Sequence, residues 1–178
     1  KEIALQLTSG TVTATQIKGN LKLNSTSGTL KATGVEGNVD ARLTSGYVIF
    51  QQISGAVNFE STSGSLDVKD IEGQLNVRLT SGNAKIENAK QLGQLSFTSG
   101  NMRAVNSGIG ANTQFTGTSG NFTIQTNSDL KSFNYSLRAT SGNIRVGGSS
   151  GTKSLELNNN ASTWIKGSIT SGHITIEN

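Results

Sequence analysis

The chain contains no cysteine and no proline, and only one histidine, one tryptophan and one methionine among its 178 residues. Without cysteine there is no disulfide framework and no thiolate metal site, so stability must come from packing and backbone hydrogen bonding. That absence is compatible with an extracellular face but does not establish one. Without proline the backbone keeps its N–H groups, which suits a chain whose amides are nearly all committed to β-ladders. A single histidine leaves any metal site dependent on carboxylates. Aromatics make up only 5% of the chain, too few to line a nucleic-acid groove with stacking platforms. The net charge of +4 comes from 15 basic and 11 acidic side chains spread along the sequence rather than gathered in a stripe, so nucleic acid is not an expected partner. No apolar run approaches the roughly 18 residues of a membrane span, so direct membrane insertion by this stretch is not expected either. The chain opens at Lys1 without methionine or signal peptide, and Ile3-Ala4-Leu5-Gln6-Leu7 already fits the repeat described below. A fragment of a longer protein is therefore expected, and missing targeting information says nothing about where the parent resides.

What is abundant is glycine, with 22 residues, together with threonine, serine and β-branched side chains, a composition that disfavours helix throughout. Thr-Ser-Gly occurs nine times. The first six copies, from Thr8-Ser9-Gly10 to Thr98-Ser99-Gly100, are spaced by 18 residues without a slip. Copies at Thr118, Thr140 and Thr170 follow after intervals of 20, 22 and 30. A second glycine falls midway at Gly19, Gly37, Gly55 and Gly73. A strict period without insertions matches each residue to the one a full coil away, which is the signature of a solenoid whose units cannot fold alone.

One coil, Gly28 to Ser45, shows the pattern. Leu30 and Ala32 point inward, Val35 follows after a bend at Gly34, and Val39, Ala41 and Leu43 then alternate with Asp40 and Arg42. Period-2 alternation of this length is a half-buried strand. The columns Val12/Leu30/Val48/Leu66, Ala14/Ala32/Phe50/Val68/Ile86 and Leu21/Val39/Val57/Leu75 predict continuous apolar ladders. An antiparallel meander also gives short strands and glycine turns, but it does not require like residues 18 apart. The expected fold is therefore all-β: one parallel β-solenoid of about nine 18-residue coils, roughly 40 Å long at about 4.8 Å per coil. It forms a single domain over residues 1–178, with regular coils over 1–100 and irregular coils with a C-terminal cap over 101–178. Its cross-section is either flattened or, through the bend near Gly34, three-sided.

The Thr-Ser-Gly glycines are expected at positive φ, with Thr and Ser hydroxyls bonding to the next coil or to turn backbone. Asn83, Asn101, Asn121 and Asn143 follow the glycine as an asparagine ladder. Outward columns carry charges of alternating sign, notably Arg42/Glu60/Arg78 and Lys18/Glu36/Ser54/Glu72/Lys90, as a parallel stack needs. Phe115, Phe122, Phe133, Tyr135 and Trp164 lie where the repeat loosens. They are expected to fill a widening core or close its end, with Trp164 the leading plug and an exposed contact residue the alternative. Gly147-Gly148-Ser149-Ser150-Gly151 reads as a loose turn, with a flexible hinge as the alternative. It is not a phosphate loop, because it lacks the Gly-Lys-Ser/Thr ending and a following helix.

Candidate chemistry is sparse, and no catalytic, cofactor-binding or metal-ligating residue is assigned. Asp67, Asp70 and Glu72 are the densest acidic group, and a polysaccharide-degrading solenoid enzyme would want paired carboxylates of this kind on one face. His173 falls at the turn position held elsewhere by asparagine, where it reads as a substitute. The Thr8-to-Thr98 column invites an ice-binding reading, but its neighbouring column, Gln6, Asn24, Arg42, Glu60 and Arg78, is not a second threonine row. Stackable ends favour a self-assembling fibre, and the irregular final third opposes it.

Units such as Gly73-Gln-Leu-Asn-Val-Arg-Leu-Thr-Ser-Gly82-Asn83-Ala-Lys-Ile-Glu87 resemble the bacterial β-strand-repeat adhesin family DUF4097, over essentially the whole chain. The resemblance implies an envelope-associated or cell-surface protein, in some members accessory to envelope stress responses, with no catalytic residue and no cofactor. On this reading the chain is a non-enzymatic binding or scaffold module whose partner is an envelope protein or a cell-wall polymer.

Overall fold

The computed structural model describes residues 1–178. Eleven strands follow one another: β1 (Glu2–Leu7), β2 (Thr11–Lys18), β3 (Asn20–Ser25), β4 (Thr29–Glu36), β5 (Val39–Ile53), β6 (Val57–Ser107), β7 (Gln114–Thr126), β8 (Asn134–Val146), β9 (Ser149–Gly151), β10 (Ser154–Leu157) and β11 (Trp164–Glu177). One 3-10 turn, Leu130–Ser132, is the only helical element. Pairing is parallel in the register that the repeat dictates. Ile3 lies beside Leu21, Leu21 beside Val39 and Val39 beside Val57, while Leu30, Val48 and Leu66 align on the other half-coil. A meander would pair successive strands antiparallel, and only β9 and β10 do so, both against β8. The architecture is an all-β stack of mostly parallel strands.

Backbone contact at the Thr-Ser-Gly turns holds this register. All nine of these glycines lie at positive φ, from 114° at Gly10 to 158° at Gly64. A Cβ on Gly28, Gly46, Gly82 or Gly100 would collide with the carbonyl oxygen of the glycine one coil below. Any other residue would thus be strained in its own conformation and would also push the coils apart. Each of the first six coils contains a second left-handed residue, at Gln16, Gly34, Gln52, Asp70, Asn88 and Asn106, with φ between 49° and 68°. This residue steps the alternation by one, which is why Leu30, Ala32 and Val35 all face inward despite their uneven spacing.

The inward columns merge into one continuous cluster of 42 buried apolar residues. In the final third, large side chains are matched by missing ones. Phe97 and Phe122 stack at 4.4 Å, and a Cβ on Gly117 would meet the Phe97 ring at 2.8 Å. Gly167 likewise leaves room for Leu137 and Phe115. Phe115, Phe122 and Tyr135 therefore fill the core, as expected, and the Tyr135 hydroxyl donates to the Leu130 carbonyl at 3.1 Å. Burial, and secondarily the Asp129 charge, push that phenol well above its ordinary range.

The stack does not follow chain order to its end. β11 lies between β7 and β8, with His173 beside Asn121 on one side and Asn143 on the other. The glycine contacts give the same order, since a Cβ on Gly172 would strike Gly120 and one on Gly142 would strike Gly172. Trp164 consequently belongs to an interior coil and is only half-buried at its side, so it is not the plug at the end of the stack. That end is covered by β9 and β10, which run antiparallel along β8 after a turn at Gly147-Gly148. The segment read as a loose turn is thus partly strand. At the opposite end β1 pairs only with β3 and β2 only with β4, and Ile3 is 37% exposed there.

Two outcomes test this arrangement. Val68 is fully buried beside Phe50, so Val68→Asp should cost about 3–5 kcal/mol or unfold the chain, since it buries an unpaired carboxylate. Lys69 meets Glu87 at 3.3 Å with both side chains substantially exposed, and Lys69→Ala should change stability by less than about 0.5 kcal/mol in thermal denaturation. Comparable melting temperatures for the two would reverse the inward and outward assignments. Removing residues 164–178 takes away the strand that joins β7 to β8. Amide hydrogen exchange should then be fast over residues 134–157 and remain slow in the interior of β6. Undiminished protection of 134–157 would show that β8 docks without β11.

Candidate binding face

The outward side chains of the second half-coils form three parallel columns. One runs Lys22, Asp40, Asn58, Asn76, Gln94, Gln114 and Lys166, as the strand registers place them. It is knitted by carboxamides: Asn76 donates to Asn58 Oδ1 at 2.8 Å and accepts from the Gln94 backbone N–H at 2.9 Å. Beside it lie Gln6, Asn24, Arg42, Glu60 and Arg78, and beyond them the exposed threonines of the Thr-Ser-Gly turns. Glu60 sits between two arginines, 3.4 Å from Arg42 Nε and 3.9 Å from Arg78 Nε. All three side chains are more than half exposed, so the pairs contribute at most about 1 kcal/mol each and stay available to a partner. Shallow recesses of about 200 Å³ and 370 Å³ flank this charged column, and Arg42, Glu60 and Arg78 line both.

The acidic residues singled out from the sequence lie around the other half-coil and are each engaged by a different neighbour. Asp67 Oδ2 accepts from the Tyr47 hydroxyl at 3.3 Å. Desolvation first, then the Asp67 charge and this hydrogen bond, raise the Tyr47 phenol above its ordinary value. Asp70 occupies the left-handed bend and accepts from Asn88 Nδ2 at 2.8 Å. Asn88 accepts in turn from Asn106, and Asn106 from Asn127, so the aspartate is the acceptor at the foot of a directional amide ladder. Glu72 pairs with Lys90 at 3.1 Å. No three carboxylate or imidazole groups converge as a metal site.

His173 stands in the asparagine ladder, between Asn121 and Asn143 rather than after Asn143. Its backbone N–H donates to Asn121 Oδ1 at 3.1 Å, and its Nδ1 accepts from the Asn143 N–H at 3.3 Å. Imidazole Nδ1 thus takes the place of a carboxamide oxygen. The Ser27 hydroxyl reaches the Thr8 carbonyl on the next coil at 3.2 Å, as expected of the turn hydroxyls, while the threonine side chains remain exposed.

Sequence reasoning missed two features. The amide ladder through the bend was visible only as Asp70, Asn88 and Asn106 at 18-residue spacing, small polar residues of the kind that tolerate left-handed backbone. The second is a recess beside Trp164, formed where Asn112 Nδ2 reaches Gln74 Oε1 at 2.8 Å across 38 residues. No periodicity signals that contact.

If His173 serves as an asparagine substitute, His173→Asn should leave the melting temperature nearly unchanged. His173→Leu should lower stability by about 0.5–1.5 kcal/mol by leaving the Asn143 N–H without its acceptor. Equal effects of the two substitutions in chemical denaturation would remove the ladder role.

No curated protein and no solved structure was found to match this chain. The family model described as Toastrack DUF4097 matches residues 1–87 and again residues 54–177. The overlap of the two matches follows from a repeat that satisfies one model in two placements along the stack. Together they span all but the last residue, and the chain belongs to the DUF4097 Toastrack family.

Proposed function

We propose that this chain is a non-enzymatic binding module of the bacterial cell envelope or surface. On this reading it is a rigid solenoid rod of about nine 18-residue coils that presents its second half-coil face to an envelope protein or cell-wall polymer. The observation that carries the reading is the pair of adjoining recesses along Arg42, Glu60 and Arg78, on a face whose polar columns are held in register by the fold. A preordered array of donors, acceptors and both charges loses little conformational entropy on engaging a repetitive partner. The envelope setting, with service as an accessory to envelope stress responses, is part of the proposal and is carried over from the resemblance of the repeat units to envelope-associated β-strand-repeat proteins. The separate engagement of Asp67, Asp70 and Glu72 favours structural duties for them over paired acid–base chemistry. No helix is long and apolar enough to cross a membrane.

Binding without turnover is the expected behaviour. Purified protein should be retained on isolated bacterial cell-wall sacculi or on an immobilised envelope protein fraction. Arg42→Ala combined with Arg78→Ala should lower retention at least tenfold, as loss of two charge-assisted contacts implies, with an unchanged circular dichroism spectrum. Glycan or peptidoglycan hydrolysis that disappears in Asp67→Asn or Asp70→Asn, with the fold intact, would replace this reading with an enzyme.

A further inference from the structure

Where the interior coil β11 enters the stack, Trp164 closes one side of a recess of about 590 Å³. This volume lies within the range of about 300–1,000 Å³ typical of small-molecule sites. The recess is lined otherwise by Gln74, Gln94, Gln114, Lys166 and the short segment Ala111-Asn112-Thr113. Trp164 is the only tryptophan of the chain. It is half-buried and lines the recess, so part of its surface is open to a ligand.

Part of the polar wall is braced by side-chain hydrogen bonds. Thr113 is 3% exposed, accepts from the Gly110 N–H at 2.9 Å and donates to the Leu92 carbonyl, which pins the short turn that carries Asn112. Asn112 and Asn76 then hold Gln74 at both ends of its carboxamide, at 2.8 Å and 2.9 Å. Gln94 is fastened through its backbone N–H to Asn76, and Gln114 through its place beside Gln94 and Lys166 in the ladder. Their exposed side-chain amides are thereby left for a ligand, about 4.8 Å apart on successive strands.

We propose that this recess is a saccharide site. Each element matches one part of a pyranose. The indole offers an apolar plane for the C–H face of the ring, and carboxamides carry donor and acceptor together, as hydroxyl groups require. Lys166 adds a further donor to a ring or acetamido oxygen. A nucleic acid would need a row of cations along its phosphates, whereas the recess holds one lysine, and a lipid would need an apolar lining. The inference rests on the reading of the second half-coil face as a binding surface, because Gln94, Gln114 and Lys166 belong to its outermost column.

The single indole makes tryptophan fluorescence a report on this recess alone. The probes are cellotetraose, tetra-N-acetylchitotetraose and, as the competing chemistry, a ten-residue oligothymidylate. Either oligosaccharide should shift Trp164 emission in a saturable manner. Gln114→Ala should weaken that response about fivefold, the effect of losing one neutral hydrogen bond. Lys85→Ala, on the other half-coil, should leave it within twofold. Trp164→Ala should abolish the saccharide-induced changes in amide chemical shift, and the Gln114 variant keeps the test valid if that protein does not fold. No emission change with either oligosaccharide up to about 10 mM, well above a millimolar Kd, would overturn the proposal. So would a response to oligothymidylate alone, or one unaffected by Gln114→Ala. Retention on sacculi without any Trp164 response would sink the saccharide site and leave the wider binding face standing. A Trp164 response without retention would do the reverse.

Discussion

The close approach of glycine to glycine at the Thr-Ser-Gly turns is the contact on which the rest of the stack depends. Each of these residues lies at positive φ, and from Gly28 onward each rests on the carbonyl of the glycine below it. A backbone-on-backbone contact leaves no tolerance for a side chain, so it sets both the spacing and the register of neighbouring coils. Register in turn decides which residues share a column. A slip of one position would turn Leu30, Val48 and Leu66 outward and bring Lys31, Ile49 and Asp67 into the core.

Polar ladders reinforce that register from outside. Asp70, Asn88, Asn106 and Asn127 form a chain of carboxamide bonds with one direction, ended by a carboxylate that can only accept. On the other half-coil Asn76 donates to Asn58, and His173 maintains the sequence between Asn121 and Asn143 with a ring nitrogen. The exposed ion pairs Arg42–Glu60 and Lys90–Glu72 add little stability, but like charges in those places would oppose the stacking. The same ladders that hold the coils together leave an ordered array of functional groups facing solvent. The proposed binding face is thus made of the same groups that fasten the stack.

The last part of the chain solves a different problem. A stack of parallel strands ends in an unpaired edge, and such edges invite association. Here the chain lays β8 beyond the position of the next coil, covers it with the antiparallel β9 and β10, and returns to place β11 in the gap. The distant pairing of β11 with β7, 52 residues apart in register, makes this the most non-local part of the fold. It also brings Trp164 to the side of the rod, beside residues of the regular coils, where a terminal plug would have buried it.

The repeat alone determined the parallel ladders, the inward columns, the positive-φ glycines and the alternating charges. Each depends on residues that recur at one fixed interval, so one coil explains its neighbours. The resemblance of Gly73–Glu87 to DUF4097 was legible for the same reason. Only the tertiary structure decided the order of the final coils. The turns at Gly120, Gly142 and Gly172 are chemically equivalent, and any of them fits above any other. What distinguishes them is complementary volume, Phe97 against Gly117 and Phe115 against Gly167, together with the reach of the connecting segments. The recess at Trp164 was hidden for a related reason. Gln74, Asn112 and Trp164 obey no common spacing, and a site assembled from unlike coils exists only once the coils have been placed.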